Sequence, residues 1–136
     1  MDIFNVNTDR ERLLTKIDTV NNLIKGKRNV LYIDDEQQAL TSFRANFRRE
    51  ANVFTANNYP DALRILKENQ IEAVISDFLM PDIKGDEIIN MLKNRFPDIT
   101  YCILTGYMGK PSNGVEVFYK PMTPKVKNSL IEFVYA

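Results

Sequence analysis

Five short apolar segments recur along residues 29–136, and segments with helical periodicity separate most of them. The apolar segments span residues 29–33, 53–56, 73–76, 100–104 and 115–119. Residues 37–49 illustrate the helical pattern, because Leu40, Phe43 and Phe47 fall on one face of a helix. Strands that alternate with helices form a parallel sheet covered on both faces, with right-handed crossovers. The pattern therefore predicts a doubly wound α/β domain with a five-stranded parallel sheet.

Residues 1–28 precede this pattern, and we interpret them as an N-terminal helical arm attached to a domain of residues 29–136. Thr8 and Glu11 have the spacing of a capping box, and Gly26 suits the end of a helix. Apolar residues recur at helical spacing at Leu13, Ile17, Val20 and Ile24. Two interpretations stay open. The arm either folds onto its own domain or serves as a solvated linker, or it pairs with a partner helix in a coiled coil.

The composition excludes several kinds of function. Lysine plus arginine and aspartate plus glutamate both total 18, so no net charge attracts nucleic acid or anionic membranes. Histidine is absent, which excludes histidine bases, histidine zinc ligands and a phosphohistidine on this chain. Cys102 is the single cysteine, so no intrachain disulfide can form. A reducing cytoplasmic location is the simplest expectation, and no apolar run approaches the ~20 residues of a membrane helix.

Polar residues follow the ends of four predicted strands: Asp34 and Asp35, then Asp77, Thr105 and Lys120. The carboxyl ends of parallel strands lie along one edge of a sheet, where ligands bind in such folds. Carboxylates brought together repel one another and recruit a cation, and an anionic site of oxygen ligands suits Mg²⁺. We predict a phosphoacceptor site in which Asp77 is the nucleophile and Lys120 and Mg²⁺ neutralise the transferring group.

Four motifs at these strand ends give the chain a specific resemblance: VLYIDDE, VISDFLMPDIKG, ILTG and FYKP. Residues 29–136 resemble the receiver domain of two-component response regulators. The resemblance implies a flavodoxin-like fold with strand order 2-1-3-4-5. It also implies that a sensor histidine kinase or a histidine phosphotransfer protein supplies the phosphoryl group. The expected activity is signalling rather than enzymatic turnover, with at most self-phosphorylation from small phosphodonors and slow self-dephosphorylation.

The same resemblance assigns roles to individual residues. It implies a magnesium site formed by Asp34, Asp35, Asp77 and the backbone carbonyl of Leu79. Asp35 would bind the ion directly, and Asp34 often acts through water in this family. Thr105 would be the hydroxyl that moves toward the phosphoryl group. The Lys120–Pro121 peptide bond is usually cis, which directs the lysine toward the site.

Other interpretations of these residues stay open. Taken alone, Asp34 and Asp35 can cap the next helix, Thr105 can form a turn, and Lys120 can make a structural ion pair. A receiver that keeps the site without using it would be a non-switching dimerisation or docking module. A third interpretation is a phosphatase or phosphotransferase with an aspartyl nucleophile. It is disfavoured because the haloacid dehalogenase pattern separates its two aspartates by one residue.

The sequence departs from the family between Thr105 and Lys120. Only fourteen residues intervene, and they include three glycines and a proline, which disfavour a helix. We therefore predict that the helix between the fourth and fifth strands, the fourth in the family, is missing or reduced to one turn. Val117 occupies the position of the usual switch aromatic, three residues before Lys120. Leu79 and Tyr107 lie two residues after Asp77 and Thr105, at positions that in this family influence how water reaches the aspartyl phosphate. Bulky groups at these positions therefore predict slow loss of the phosphoryl group.

Overall fold

The computed structural model describes residues 26–107 and 114–136. The predicted arm helix, with its capping pair Thr8 and Glu11, lies outside the described residues except for residues 26–28. Those three residues are not helical. The division of the chain at residue 28 therefore stays a prediction.

Five parallel strands form one sheet in the order β2-β1-β3-β4-β5. The strands are β1 (Asn29–Ile33), β2 (Asn52–Ala56), β3 (Ala73–Ser76), β4 (Thr100–Thr105) and β5 (Glu116–Tyr119). This topology confirms the predicted doubly wound sheet and its strand order. The register aligns Ile33 with Ser76, so β1 and the neighbouring β3 end at the same level of the sheet.

The described residues form four helices, which connect or follow the strands. These are α1 (Gln37–Phe47), α2 (Tyr59–Glu68), α3 (Gly85–Arg95) and α4 (Pro124–Tyr135). Two helix starts have side-chain caps: Asn58 accepts from the Asp61 backbone N–H at 2.9 Å, and Thr123 accepts from the Val126 N–H at 3.2 Å. Among the described residues, no helix has the length and apolar character required to cross a membrane.

Successive residues of the strands face opposite sides of the sheet, and helices cover both sides. Leu31 and Ile33 of β1 pack into a core with α2 and α3. Val30 and Tyr32 pack into a second core with α1 and α4. Since both faces are covered, the strands are mostly apolar, and most of the polar residues of the sheet lie at or near the strand ends.

The structure describes only part of the connection between β4 and β5. Its described residues, 106–107 and 114–115, are not helical. Residues 108–113 lie outside the described part of the chain. The shortened or missing helix stays a prediction for that stretch.

Candidate functional site

Three carboxylates meet at the carboxyl edge of the sheet. Asp34 and Asp35 directly follow β1, and Asp77 directly follows β3. The backbone N–H of Asp77 donates to the Ile33 carbonyl at 2.8 Å, which extends the strand pairing one residue beyond β3. Carboxylate oxygens from the three aspartates lie within 4.8 Å of one another. The predicted convergence of these residues is therefore present in the structure.

Lys120 places its ammonium group beside this cluster. Its Nζ lies 3.2 Å from Oδ2 of Asp34 and 3.9 Å from Oδ1 of Asp77. The Lys120 backbone N–H donates to the Thr105 carbonyl at 2.9 Å, which ties the end of β5 to the end of β4. The Lys120–Pro121 peptide bond is cis, as expected. A single ammonium group thus lies near two of the three carboxylates.

Asp34 is a buried carboxylate that accepts from three donors. The Glu36 backbone N–H donates to Oδ1 at 3.0 Å, while the Tyr32 hydroxyl at 2.7 Å and the Lys120 Nζ at 3.2 Å donate to Oδ2. Glu36 occupies the N-cap position of α1. The alternative in which Asp34 or Asp35 caps this helix is therefore wrong. Asp34 instead fixes the turn that precedes the helix.

Asp77 is less buried than Asp34 and less exposed than Asp35, with 14% of its side chain exposed to solvent. Its Oδ1 accepts from the Phe78 backbone N–H at 2.9 Å. Burial raises the pKa of Asp77 above its ordinary value. The charge of Asp34 adds to this increase, whereas Lys120 lowers the pKa. Desolvation and the like charge of Asp34 therefore make the charged form of Asp77 less favourable than in water, and Lys120 offsets part of this effect.

The donor set fits a magnesium ion. All the side-chain ligands that converge here are carboxylate oxygens, which Mg²⁺ prefers. Among the described residues, Lys120 is the cation paired with this cluster, and it contacts Asp34 and Asp77, so three carboxylates keep an excess of negative charge that a divalent cation would balance. Leu79 lies two residues beyond Asp77, in the loop between β3 and α3. The role of its carbonyl stays a prediction.

Thr105 ends β4 and is buried beside the cluster. Its Oγ1 accepts from the Tyr107 backbone N–H at 3.0 Å, and its hydroxyl helps to lower the pKa of Asp77. The Tyr107 ring stacks on Phe78, with ring centroids 5.4 Å apart and planes inclined by 7°. Tyr107 and Leu79 are both about half-exposed. Tyr107 thus packs on Phe78, the residue directly after Asp77.

The residues around the expected switch position lie on different faces of β5. Val117 packs against the core that contains α2 and α3, whereas Phe118 packs against the opposite core. Phe118 meets Phe133 of α4 edge to face, with ring centroids 5.8 Å apart. Tyr119 is exposed and pairs in register with Thr105. Phe118 therefore does not replace the aromatic residue that the family usually carries at position 117.

Sequence reasoning missed two residues that shape the site. Gly85 begins α3 in close contact with the backbone of Asp77, and its N–H donates to the Phe78 carbonyl at 2.8 Å. Tyr32 donates to Asp34 from inside β1. The signal for Tyr32 was present in the sequence, because a hydroxyl in an otherwise apolar strand needs a partner when buried. The glycine in the DIKG segment gave no comparable indication of what it contacts.

The sequence model of the response regulator receiver domain family matches residues 30–119. The chain belongs to this family. Receiver domains are the phosphoacceptor domains of two-component signalling, rather than conventional enzymes. Family membership accounts for the order of the strand-end motifs and for the acidic cluster.

Curated relatives of this receiver include regulators and a kinase. The hydrogenase transcriptional regulatory protein HoxA of Cupriavidus necator is 24% identical over 110 residues, which cover 77% of this chain and 23% of HoxA. The transcriptional regulatory protein PrrA of Mycobacterium tuberculosis is 31% identical over 77 residues, which cover 56% and 33%. The sensor kinase CckA of Brucella abortus is 30% identical over 87 residues, which cover 62% and 9%. The chain thus spans a third or less of the length of each of these relatives.

Solved structures show the same fold. Chemotaxis protein CheY4 of Vibrio cholerae gives a TM-score of 0.71 at 19% identity, covering 80% of this chain and 99% of that one. A receiver domain from Clostridium thermocellum gives 0.68 at 29% identity, covering 79% and 91%. The response regulator TrrA of Thermotoga maritima, in complex with Mg²⁺ and BeF, gives 0.70 at 23% identity, covering 78% and 98%.

Proposed function

We propose that this receiver takes a phosphoryl group onto Asp77 from the phosphohistidine of a partner protein, with magnesium at the acidic cluster. The observation that carries the proposal is the position of Lys120, whose ammonium reaches both Asp34 and Asp77. An acceptor carboxylate beside a fixed cation and a cluster suited to Mg²⁺ matches what phosphoryl transfer requires of a protein. That requirement is mainly positioning and the neutralisation of charge.

Asp77 is the best acceptor of the three aspartates because it combines access with positioning. Asp34 is only 1% exposed, and both of its oxygens already accept hydrogen bonds. Asp35 is exposed at the rim, where it suits direct contact with a cation. Asp77 is partly accessible and has one oxygen fixed by the Phe78 N–H. Its other oxygen, Oδ2, is the candidate nucleophile.

In the transfer step, an Asp77 carboxylate oxygen attacks phosphorus as the phosphorus–nitrogen bond of the donor breaks. The bonding electrons leave with the imidazole, which takes up a proton. The Lys120 ammonium binds the phosphoryl oxygens and balances their charge. Asp34, Asp35, Asp77 and the Leu79 carbonyl would hold Mg²⁺, which when bound supplies further positive charge to those oxygens.

The donor must belong to another protein, because this chain contains no histidine. A sensor histidine kinase or a histidine phosphotransfer protein has the required chemistry. A cytoplasmic location is part of the proposal and is supported by Cys102, a free thiol buried in the core. In oxidising compartments cysteines commonly pair in disulfides, whereas Cys102 is free.

Phosphorylation would switch the interactions of the receiver through Thr105 and the β4–β5 connection. Since Val117 replaces the usual aromatic, the relay to the surface would differ from that of other family members. Homodimerisation through residues 1–28 is the self-interaction that the apolar spacing of the arm supports.

Beryllofluoride with Mg²⁺ tests the switch. Changes in amide NMR shifts between Thr105 and Lys120, or a change in sedimentation, would support the switch. The absence of both changes would contradict it.

The central test is phosphorylation by phosphoramidate, a small donor with a phosphorus–nitrogen bond, in the presence of Mg²⁺. Intact-mass measurement should show one added phosphoryl group on the wild-type chain and none on Asp77→Asn. Asp98→Asn is a matched control, because this exposed aspartate lies in the loop before β4, at the opposite edge of the sheet. Labelling of Asp77→Asn would show that another residue is the acceptor. A wild-type chain that takes no label would instead favour the docking module.

A further inference from the structure

Tyr32 carries a hydroxyl group near the carboxyl end of a largely apolar strand. It lies on β1, which pairs with β2 on one side and β3 on the other, and only 1% of it is exposed. Its hydroxyl donates to Oδ2 of Asp34 at 2.7 Å. A phenylalanine would bury the same ring without a hydroxyl to satisfy. The hydroxyl is therefore worth examining for a role in the acidic site.

Two aromatic residues of α1 hold the Tyr32 ring in place. Phe43 stacks on Tyr32 with ring centroids 4.2 Å apart and planes inclined by 13°. Phe47 stacks on Phe43 at 4.5 Å with the same inclination, and both phenylalanines are buried. The ring cannot swing away without disrupting a packed stack. The stack therefore fixes the direction in which the hydroxyl points.

Oδ2 of Asp34 is shared by two donors of different kinds. Tyr32 approaches it from within the core, and Lys120 approaches it from the site at 3.2 Å. Lys120 is also 3.9 Å from Asp77, where the phosphoryl group would be attached. If Lys120 were the sole partner of Oδ2, its movement to the phosphoryl group would leave a buried carboxylate oxygen without a donor, which is costly.

We infer that Tyr32 is a positioning residue of the phosphoacceptor site. Its hydroxyl holds the Asp34 carboxylate at the cation site and keeps Oδ2 hydrogen-bonded when Lys120 turns to the phosphoryl group. This inference rests on the proposed function. Groups that orient ligands in this way set metal affinity, and their removal typically weakens binding about 10–100-fold.

Magnesium binding to the full chain tests this role. Calorimetric titration with Mg²⁺ alone should show about tenfold weaker binding for Tyr32→Phe. Tyr101→Phe is a matched control, because the Tyr101 hydroxyl also makes a hydrogen bond of 2.7 Å, to the Phe96 carbonyl. That bond lies near the start of β4, at the opposite edge of the sheet. Tyr101→Phe should bind Mg²⁺ as the wild type does, although both variants lose a hydrogen bond.

A second variant separates the hydroxyl from the stack. Phe43→Leu keeps the Tyr32 hydroxyl but removes the ring that holds it, so Mg²⁺ binding should weaken by a smaller factor. In the Tyr32→Phe variant, the stack no longer positions a hydroxyl group. Phe43→Leu should therefore cause no further loss of Mg²⁺ affinity in the Tyr32→Phe background.

The outcomes distinguish this inference from the proposed function. Wild-type affinity for Mg²⁺ in Tyr32→Phe, with the wild-type chain phosphorylated normally, would overturn the role of Tyr32 alone. An equal loss of affinity in Tyr101→Phe would also overturn it, because general destabilisation would then explain the effect. A wild-type chain that neither binds Mg²⁺ nor accepts a phosphoryl group would overturn both. The rate of phosphorylation by phosphoramidate should fall together with Mg²⁺ affinity.

Discussion

A β-carbon added to Gly85 would lie 2.0 Å from the backbone oxygen of Asp77. The same oxygen accepts from the Ser76 hydroxyl at 2.8 Å. The first turn of α3 is therefore packed directly against the backbone of Asp77. The backbone at position 85 is not left-handed, so its conformation does not require glycine. Glycine is required there because a side chain has no space.

Gly85→Ala should consequently disturb both stability and the site. Since the new methyl group would meet backbone rather than a flexible side chain, we expect the free energy of unfolding to fall by about 1–3 kcal/mol. We also expect slower phosphorylation by phosphoramidate, because the Asp77 backbone must shift. Urea denaturation and intact-mass kinetics measure the two effects.

Gly106→Ala is the control for that experiment. A β-carbon at Gly106 would meet nothing within 4 Å, and this glycine has no positive φ angle. Its stability should stay close to that of the wild type. If Gly85→Ala were as stable and as rapidly phosphorylated as Gly106→Ala, the tight packing of α3 against Asp77 would not matter for function.

The fold could be predicted because its main determinants are local. The spacing of apolar residues within each segment indicates whether that segment forms a strand or a helix, and the alternation of strands and helices restricts the topology. The convergence of Asp34, Asp77 and Lys120 followed from their positions at strand ends. No distances were needed for that step, because parallel strands bring their carboxyl ends to one edge.

The contacts around these residues could not be predicted, because they depend on how the loops and helices pack against the sheet. The contact of Gly85 with Asp77 joins a helix start to a strand end. The bond from Tyr32 to Asp34 depends on the rotation of two side chains two residues apart. The cap of α1 at Glu36, rather than at Asp34 or Asp35, depends on where the turn closes. Periodicity carries no information about such details.

Asp35→Asn should have opposite effects on stability with and without magnesium. Without the ion, removal of one of three clustered carboxylates relieves repulsion and should raise the melting temperature. With Mg²⁺, the wild type should gain about 2.7 kcal/mol at a free concentration of 100 times Kd. The variant should lose most of that gain. Thermal unfolding with and without Mg²⁺ checks both expectations.

Asp98→Asn provides the comparison for this charge change. Asp98 is also exposed, but it lies at the opposite edge of the sheet, in the loop before β4. Its Mg²⁺-dependent stabilisation should equal that of the wild type. An undiminished response to Mg²⁺ in Asp35→Asn would show that Asp35 is not a ligand.

Leu79 and Tyr107 should slow the loss of the phosphoryl group by limiting the access of water. Both are about half-exposed, Leu79 lies two residues after Asp77, and Tyr107 stacks on Phe78, the residue next to Asp77. Hydrolysis needs a water molecule in line with the bond to phosphorus, so bulky neighbours should hinder it. We expect Leu79→Ala with Tyr107→Ala to lose label several-fold faster than the wild type. A wild-type lifetime of only seconds at room temperature with Mg²⁺ would contradict this expectation.

The thiol of Cys102 should report on opening of the core. Cys102 is 0% exposed in β4, and burial, with a smaller contribution from Glu116, raises its pKa well above the ordinary value. Because the thiolate is the reactive form, the native chain should react very slowly with a disulfide reagent and rapidly in urea. When opening is fast relative to labelling, the labelling rate follows the free energy of opening. Gly85→Ala should then label faster than Gly106→Ala, and Mg²⁺ should slow the labelling of the wild type. Rapid labelling of the native wild-type chain would show that β4 is accessible without unfolding.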